Sequence, residues 1–402
     1  MLTSSTRKLL WMVGLWSLAN GLSGLFTNVY LWRLKPGVAT PAYYNLWVFA
    51  TILVAMPLLG GVVKRRGAAV INAIGMTLYA AFYLALLVLQ EQAAFYLPWI
   101  GLLNGLALTC YALATHVLGY DLTDDRSREY YYNRNGLVTS LTGLVAPLAA
   151  GWLVSSFPEL TGYRIIFITS FVLFLSAAAV GISLRTPRAA SAYQIRSVLP
   201  GSHPGWHRLL VAYGLMGMRD GVFGFAVNLL VYLATGGERS VGNFAFITAA
   251  VGMAAYWLAG RLMTPATRNR LFPAGALLMG LSTGLVGLGA SYPVMLAYGL
   301  LSALAMPFWQ TAYVATAFDV IKQASGDRDL RVEMIAAREI PLNLGRMATL
   351  VLVLQFAPAD GSTAGLQLLL GGLGLVFPLA WLLFRWAAAA SSRSETQQPE
   401  SA

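Results

Sequence analysis

Arg219 and Asp220 stand side by side in a stretch, Leu209 to Leu233, that contains no other charged residue. On insertion scales a charge at the centre of such an apolar helix costs about 2.5–3.5 kcal/mol, so it faces a wet cavity or a partner charge. A carboxylate placed there balances burial against a nearby cation and can take up and release a proton, which makes Asp220 the expected coupling residue. A fixed ion pair with Arg346 is its alternative role. Neighbours on a helix diverge by roughly 100°, so Arg219 and Asp220 are not expected to face each other. Arg219 and Arg346 carry planar, permanently charged guanidiniums suited to a carboxylate or phosphate, and are expected to bind substrate.

Other polar groups fall inside apolar stretches as well. Asn20, Asn28 and Asn228 are expected to face a cavity or to bond to a neighbouring helix. Trp309, Gln310 and Tyr313 combine aromatic area with hydrogen-bonding groups, and the four-residue spacing of Trp309 and Tyr313 puts them on one face as a candidate substrate wall or as core. Two charged pairs, Glu129 with Arg134 and Glu333 with Arg338, lie at the ends of apolar stretches and are candidate gating salt bridges. No nucleophilic or acid–base constellation emerges. The three histidines, His116, His203 and His207, do not form a metal set, no Gly-rich phosphate loop followed by Lys-Ser/Thr exists, and Cys110 is the single cysteine. No catalytic residue, metal or cofactor is expected.

The elements that must hold these residues are membrane helices. Hydrophobic residues make up 57% of the 402 and charged ones 11%, with a mean hydropathy of +0.64. Twelve apolar stretches of spanning length are predicted at 9–32, 42–63, 68–90, 94–118, 135–155, 165–184, 209–233, 242–263, 271–290, 294–318, 338–357 and 364–386. With the N-terminus inside, only Arg33, Lys35, Arg164 and Arg239 fall on the outer side. Arg219 and Arg346 lie within spans, and the remaining Lys and Arg are inner. This positive-inside bias accounts for the +11 net charge, places both termini in the cytoplasm, and leaves no basic stripe for nucleic acid.

The chain is expected to divide into an N-terminal six-helix bundle (1–184), a basic Pro/Gly-containing cytoplasmic linker (185–208), a C-terminal six-helix bundle (209–388) and a disordered cytoplasmic tail (389–402). The halves echo each other. Gly21, Gly24 and Asn28 recur as Gly221, Gly224 and Asn228 at an offset of 200, and Glu129 and Arg134 recur as Glu333 and Arg338 at an offset of 204. Six spans per half make this a parallel repeat about an axis along the membrane normal.

Six plus six spans, a basic central loop and cytoplasmic termini resemble the major facilitator superfamily. The loop Gly60-Gly61-Val62-Val63-Lys64-Arg65-Arg66-Gly67 matches that family's signature loop at Gly60, Arg65 and Gly67, while Lys64 stands where the family has an acid. The resemblance implies an all-α fold of two six-helix bundles, and a central cavity lined by the first, fourth, seventh and tenth spans. Arg65 is implied as a cytoplasmic gating residue. The expected function is a proton-coupled secondary transporter of a small amphipathic or anionic solute, working by exchange in the export direction as a monomer in the plasma membrane, with protons and lipids as its other partners. A lipid or glycolipid flippase and a non-transporting sensor or assembly factor are the alternatives.

Overall fold

The computed structural model describes residues 3–123, 125–184, 193–198, 204–289, 291–325, 330–356 and 364–396, and among them the only regular structure is helical. The α-helices are α1 (Ser4–Leu34), α2 (Ala39–Arg66), α3 (Ala68–Leu89), α4 (Leu97–Asp121), α5 (Asp125–Ser156), α6 (Thr161–Ile182), α7 (Pro204–Thr235), α8 (Glu238–Leu262), α9 (Pro265–Leu285), α10 (Tyr292–Ser325), α11 (Arg331–Phe356), α12 (Ala364–Gly372) and α13 (Val376–Thr396). Pro57, Pro147, Pro273, Pro307 and Pro341 sit inside helices, as lipid-embedded helices tolerate when neighbours satisfy the freed carbonyls. Large apolar side chains such as Leu58, Val88, Trp99, Ile182 and Leu281 are exposed, which is the pattern of faces solvated by acyl chains rather than water.

Among the described residues, eleven stretches are long and apolar enough to cross a membrane, the last of them running from Gln367 to Ala390 through α12 and α13. The predicted span over 338–357 is not among the eleven. It forms α11, which has 26 residues and hence ample length at 1.5 Å per residue, but it carries Arg338, Glu339, Asn343 and Arg346. Its polarity requires protein or water beside it, not lipid alone.

The chain forms two compact units. Unit 1 comprises Met1–Tyr193 and Phe225–Ala250, and unit 2 comprises Gln194–Gly224 and Val251–Ala402. The expected divide at the 185–208 linker therefore describes connectivity better than packing, because the second half of α7 and the first half of α8 join unit 1. Backbone proximity explains the exchange: a Cβ on Gly242 of α8 would meet the Pro147 carbonyl of α5 at 2.7 Å, so glycine is what lets α8 seat there. The tail expected to be disordered from 389 continues as helix to Thr396; residues 397–402 lie outside the described set.

The offset-200 repeat has a physical meaning in each unit. A Cβ on Gly21 of α1 would lie 2.8 Å from Ala146 and 3.5 Å from the Thr142 carbonyl of α5. A Cβ on Gly221 of α7 would lie 2.5 Å from the Arg346 carbonyl of α11. Thr142 and Arg346 are themselves 204 apart, so both echoes meet at one place: the crossing of the first and fifth helix of each half. Gly217 of α7 and Gly345 of α11 extend the second crossing, facing the Leu342 and Gly214 carbonyls. A Cβ on Gly136 or Gly143 of α5 would meet only open space.

Candidate functional site

In unit 2, Arg219 and Asp220 touch. Arg219 Nη1 donates to Asp220 Oδ1 at 3.3 Å, against the expectation from helical geometry, because the long arginine side chain curls back across the divergence that separates the two Cα–Cβ bonds. Its Nη2 donates to the Tyr298 hydroxyl of α10 at 2.8 Å, and its guanidinium lies over Phe223 at 4.6 Å and Phe377 at 5.3 Å. Arg219 is thereby tied to α7, α10 and α13 with its side chain only 13% exposed, whereas the Asp220 side chain is 37% exposed. The guanidinium is the buried, many-partnered member of the pair and the carboxylate the more exposed one. Tyr298 and Tyr313 both lie within electrostatic reach of Asp220.

α11 supplies a second polar row. Glu339, Asn343 and Arg346 occupy one face at spacings of four and three. Asn343 Nδ2 donates to Glu339 Oε2 at 3.2 Å, and Arg346 Nη1 donates to Asn343 Oδ1 at 3.0 Å. Arg338 Nε lies 3.8 Å from Glu339 Oε1, with its guanidinium 5.6 Å from the Tyr213 ring centre of α7. Glu339, Asn343, Tyr213 and Tyr298 were missed from sequence. Glu339 was readable as an acid inside a predicted span, and Asn343 by its place on the same face, but the tyrosines were indistinguishable from packing residues.

The remaining expected site residues disperse. Trp309 is 1% exposed and packs against Phe272, Phe377 and Phe384, so it belongs to the core and leaves the candidate wall. Tyr313 packs beside it on Phe384 but stays half-buried, and Gln310 accepts from the Tyr256 hydroxyl of α8. Asn20, Asn28 and Asn228 belong to unit 1. Asn28 accepts from Asn45 of α2 at 2.7 Å, and the Asn20 side chain lies over Gly24.

The expected gating pairs also rearrange. Glu333 is fully buried and accepts the Gln194 backbone N–H at 3.0 Å; this anchors the linker and is not a solvated edge bridge to Arg338. Arg134 is exposed and donates to the Tyr130 hydroxyl at 3.1 Å; the Glu129 side chain lies outside the described residues. In the last turn of α2, Arg65 is exposed, while Lys64, at the position where the resembled signature has an acid, is 5% exposed. Gly60 is required nearby, since a Cβ there would strike the Tyr193 ring, whose hydroxyl donates to the Pro57 carbonyl at 2.7 Å.

Unit 1 holds a charged cluster of its own. Arg33 of α1 donates to Glu238 Oε1 at 2.8 Å, and the Tyr163 hydroxyl of α6 donates to the same oxygen at 3.0 Å. Glu238 is 7% exposed although it opens α8 beside a turn. Arg239 stacks 3.3 Å from the Trp152 ring centre, and Trp152 Nε1 donates to Asn243 at 3.2 Å. Sequence placed Arg33 and Arg239 on the outer side without partners, because nothing local announces that Glu238, 205 residues away, meets Arg33.

No family model matches the chain. Its fold resembles solved structures of the human organic anion transporter MFSD10 (TM-score 0.67, 16% identity, 95% of this chain and 100% of that one) and the nucleoside transporter NupG (0.66, 15%, 95% and 99%). It also resembles the E. coli fucose:proton symporter FucP (0.61, 15%, 95% and 98%). At these identities the likeness speaks for the fold alone, an all-helical fold shared with these membrane transporters. Over 375 residues the chain is 31% identical to the uncharacterized protein YqgE of Bacillus subtilis (strain 168), covering 93% of this chain and 87% of that protein. The chain belongs to the family of that Bacillus protein. A Geobacillus stearothermophilus protein, described as uncharacterized and in the sodM 3' region, is 29% identical over 180 residues, 45% of this chain and 84% of its own length.

Proposed function

We propose that the protein is a secondary transporter that moves a small amphipathic solute outward in exchange for protons, as a monomer in the plasma membrane with both termini cytoplasmic. The observation that carries this reading is the contrast within one ion pair: Arg219 has its Nη donors engaged and its face covered, while Asp220 remains open to solvent. A water-accessible carboxylate held beside a fixed cation can exchange a proton, and when ionised it can also grip a donor group of a solute. Protonation of Asp220 removes that grip, so proton entry and solute release are coupled. Arg346, steadied by Asn343, is the guanidinium assigned here to an anionic group on the solute. The solved proteins of this fold include transporters of organic anions and nucleosides and a fucose:proton symporter, which supports transport as the general class.

The test is gradient-driven flux. Proteoliposomes loaded with a panel of fluorescent amphipathic solutes are expected to show transport that depends on a pH gradient in wild type and falls at least ten-fold in Asp220→Asn. Undiminished gradient-driven flux in the variant would remove Asp220 from coupling. The Arg33–Glu238–Tyr163 cluster is a latch on the outer ends of α1, α6 and α8 in this scheme. Glu238→Gln is expected to raise labelling of a cysteine placed at Asn28, in a Cys110→Ser background, by a membrane-impermeant maleimide. Unchanged labelling would show that the cluster holds nothing shut.

A further inference from the structure

Away from the residues assigned to transport, unit 2 contains a cavity of about 530 Å³ between the ends of α9, α10 and α13, lined among others by Arg268, Asn269, Phe272, Trp381, Phe384 and Arg385. None of the candidate transport residues lines it. The volume is that of cavities that hold a drug-sized ligand. Its chemistry is divided by depth. Phe272 and Phe384 form a buried floor, packed on each other and on Trp309, so the base is rigid. Arg268, Asn269 and Arg385 supply hydrogen-bond donors, and the lining residues include two guanidiniums and no carboxylate. Asp319, just outside the lining, meets Arg268 Nη1 at 3.3 Å, but its side chain is exposed and that of Arg268 half-buried, a setting in which an ion pair is weak and leaves the arginine open to a second anion.

The position of the cavity names its occupant. α9 exposes Leu277 and Leu281, and α13 exposes Leu379, so both helices present faces that only acyl chains can solvate. Trp386 lies four residues before the end of the apolar stretch Gln367–Ala390, where indole rings sit at the level of lipid headgroups. Arg268 follows the capping box of Thr264 and Thr267 at the start of α9, and the basic bias assigns that end, with Arg268, Arg270 and Arg385, to the cytoplasmic leaflet. A pocket with an aromatic floor and two arginines at headgroup height, on helices with lipid-facing surfaces, is built for a phosphodiester attached to acyl chains.

We infer that the α9–α10–α13 cavity binds the headgroup of an anionic phospholipid, with the guanidiniums of Arg268 and Arg385 on the phosphate and the acyl chains lying along α9 and α13. This goes beyond the transport reading and stands or falls separately from it, since binding is measured without turnover. The test is native mass spectrometry of the full-length protein, delipidated in neutral detergent and titrated with phosphatidylglycerol, phosphatidylcholine, glycerol 3-phosphate or inorganic phosphate. Wild type is expected to bind phosphatidylglycerol well ahead of the other three. Each of Arg268→Gln and Arg385→Gln is expected to weaken it about five-fold, and both together roughly thirty-fold, as the loss of one or two basic contacts with an anionic lipid predicts. Arg7→Gln, which removes an exposed arginine elsewhere, is the control and is expected to change nothing.

Equal binding of phosphatidylcholine, equal binding of inorganic phosphate, or a double variant no weaker than Arg7→Gln would each overturn the assignment. If the double glutamine variant does not fold, Arg268→Lys with Arg385→Lys keeps the charge and loses the forked donor geometry, and is expected to bind between the wild type and single-variant levels. A photo-crosslinkable phosphatidylglycerol is expected to label α9 and α13 peptides of wild type. Labelling confined to other helices would equally refute the site.

Discussion

The crossing of α1 with α5 and the crossing of α7 with α11 use the same device for different ends. In each, a glycine at matched positions, Gly21 or Gly221, lets one helix backbone press against another. Around the first, the polar groups are neutral: the hydroxyls of Ser17 and Thr142 bond to each other, and Asn20 lies over Gly24. Around the second, the matching positions are Asp220, in place of Asn20, and Arg346, in place of Thr142, with Arg219 beside them. A duplicated scaffold thus supports charge in one copy only. Helix packing depends on small residues and is indifferent to what stands one position away, so a repeat can hold its backbone geometry while its chemistry diverges.

Substitutions at the two crossings can break or sharpen this contrast, each read as apparent Tm in one detergent. The largest effect is expected from Gly221→Leu, which drives a side chain into the α11 backbone and costs about 3 kcal/mol or more, more than Gly21→Leu, whose nearest obstacle is a methyl group. Near-equal losses would mean that the two crossings are equally tight. Next, Arg219→Gln removes the bond to Tyr298 and the contacts over Phe223 and Phe377, an expected loss of about 1.5–3 kcal/mol. A neutral result would show that the guanidinium is not held in the way described. At the neutral crossing, Ser17→Ala deletes one hydroxyl pair and is expected to cost about 0.5–1.5 kcal/mol, so its Tm should fall less than that of Arg219→Gln. The smallest effect is expected at Gly224, around which a Cβ finds open space. There Gly224→Ala should stay within about 0.5 kcal/mol of wild type, and a marked loss would reveal packing that the structure does not contain.

Much of the architecture was legible because it repeats a strong local signal. Apolar runs of about twenty residues read as helices whatever they pack against, and eleven of the twelve predicted stretches satisfy that reading. The twelfth was harder, since α11 mixes charges into a helix of spanning length, and the same mixture marks it as part of the site. Asp220 stood out for its isolation in an apolar stretch. Trp309 was ambiguous for the opposite reason: an aromatic residue at helical spacing looks alike whether it faces a cavity or Phe377 and Phe384. Glu238 was overlooked because its partners, Arg33 and Tyr163, lie 205 and 75 residues away in sequence.

By itself the amino-acid order determined that the chain lives in a membrane, that it crosses many times and which charges are out of place there, because each of these follows from hydropathy and charge along a single line. Tertiary structure alone decided that Arg219 is buried among several partners while Asp220 is more exposed, that Lys64 rather than Arg65 is buried, that Glu333 accepts the Gln194 backbone N–H and that Glu238 has an arginine beside it. Those outcomes depend on which helices the backbone brings within about 3 Å of one another, and a hydrogen bond at that distance leaves no trace in the spacing of the residues that make it.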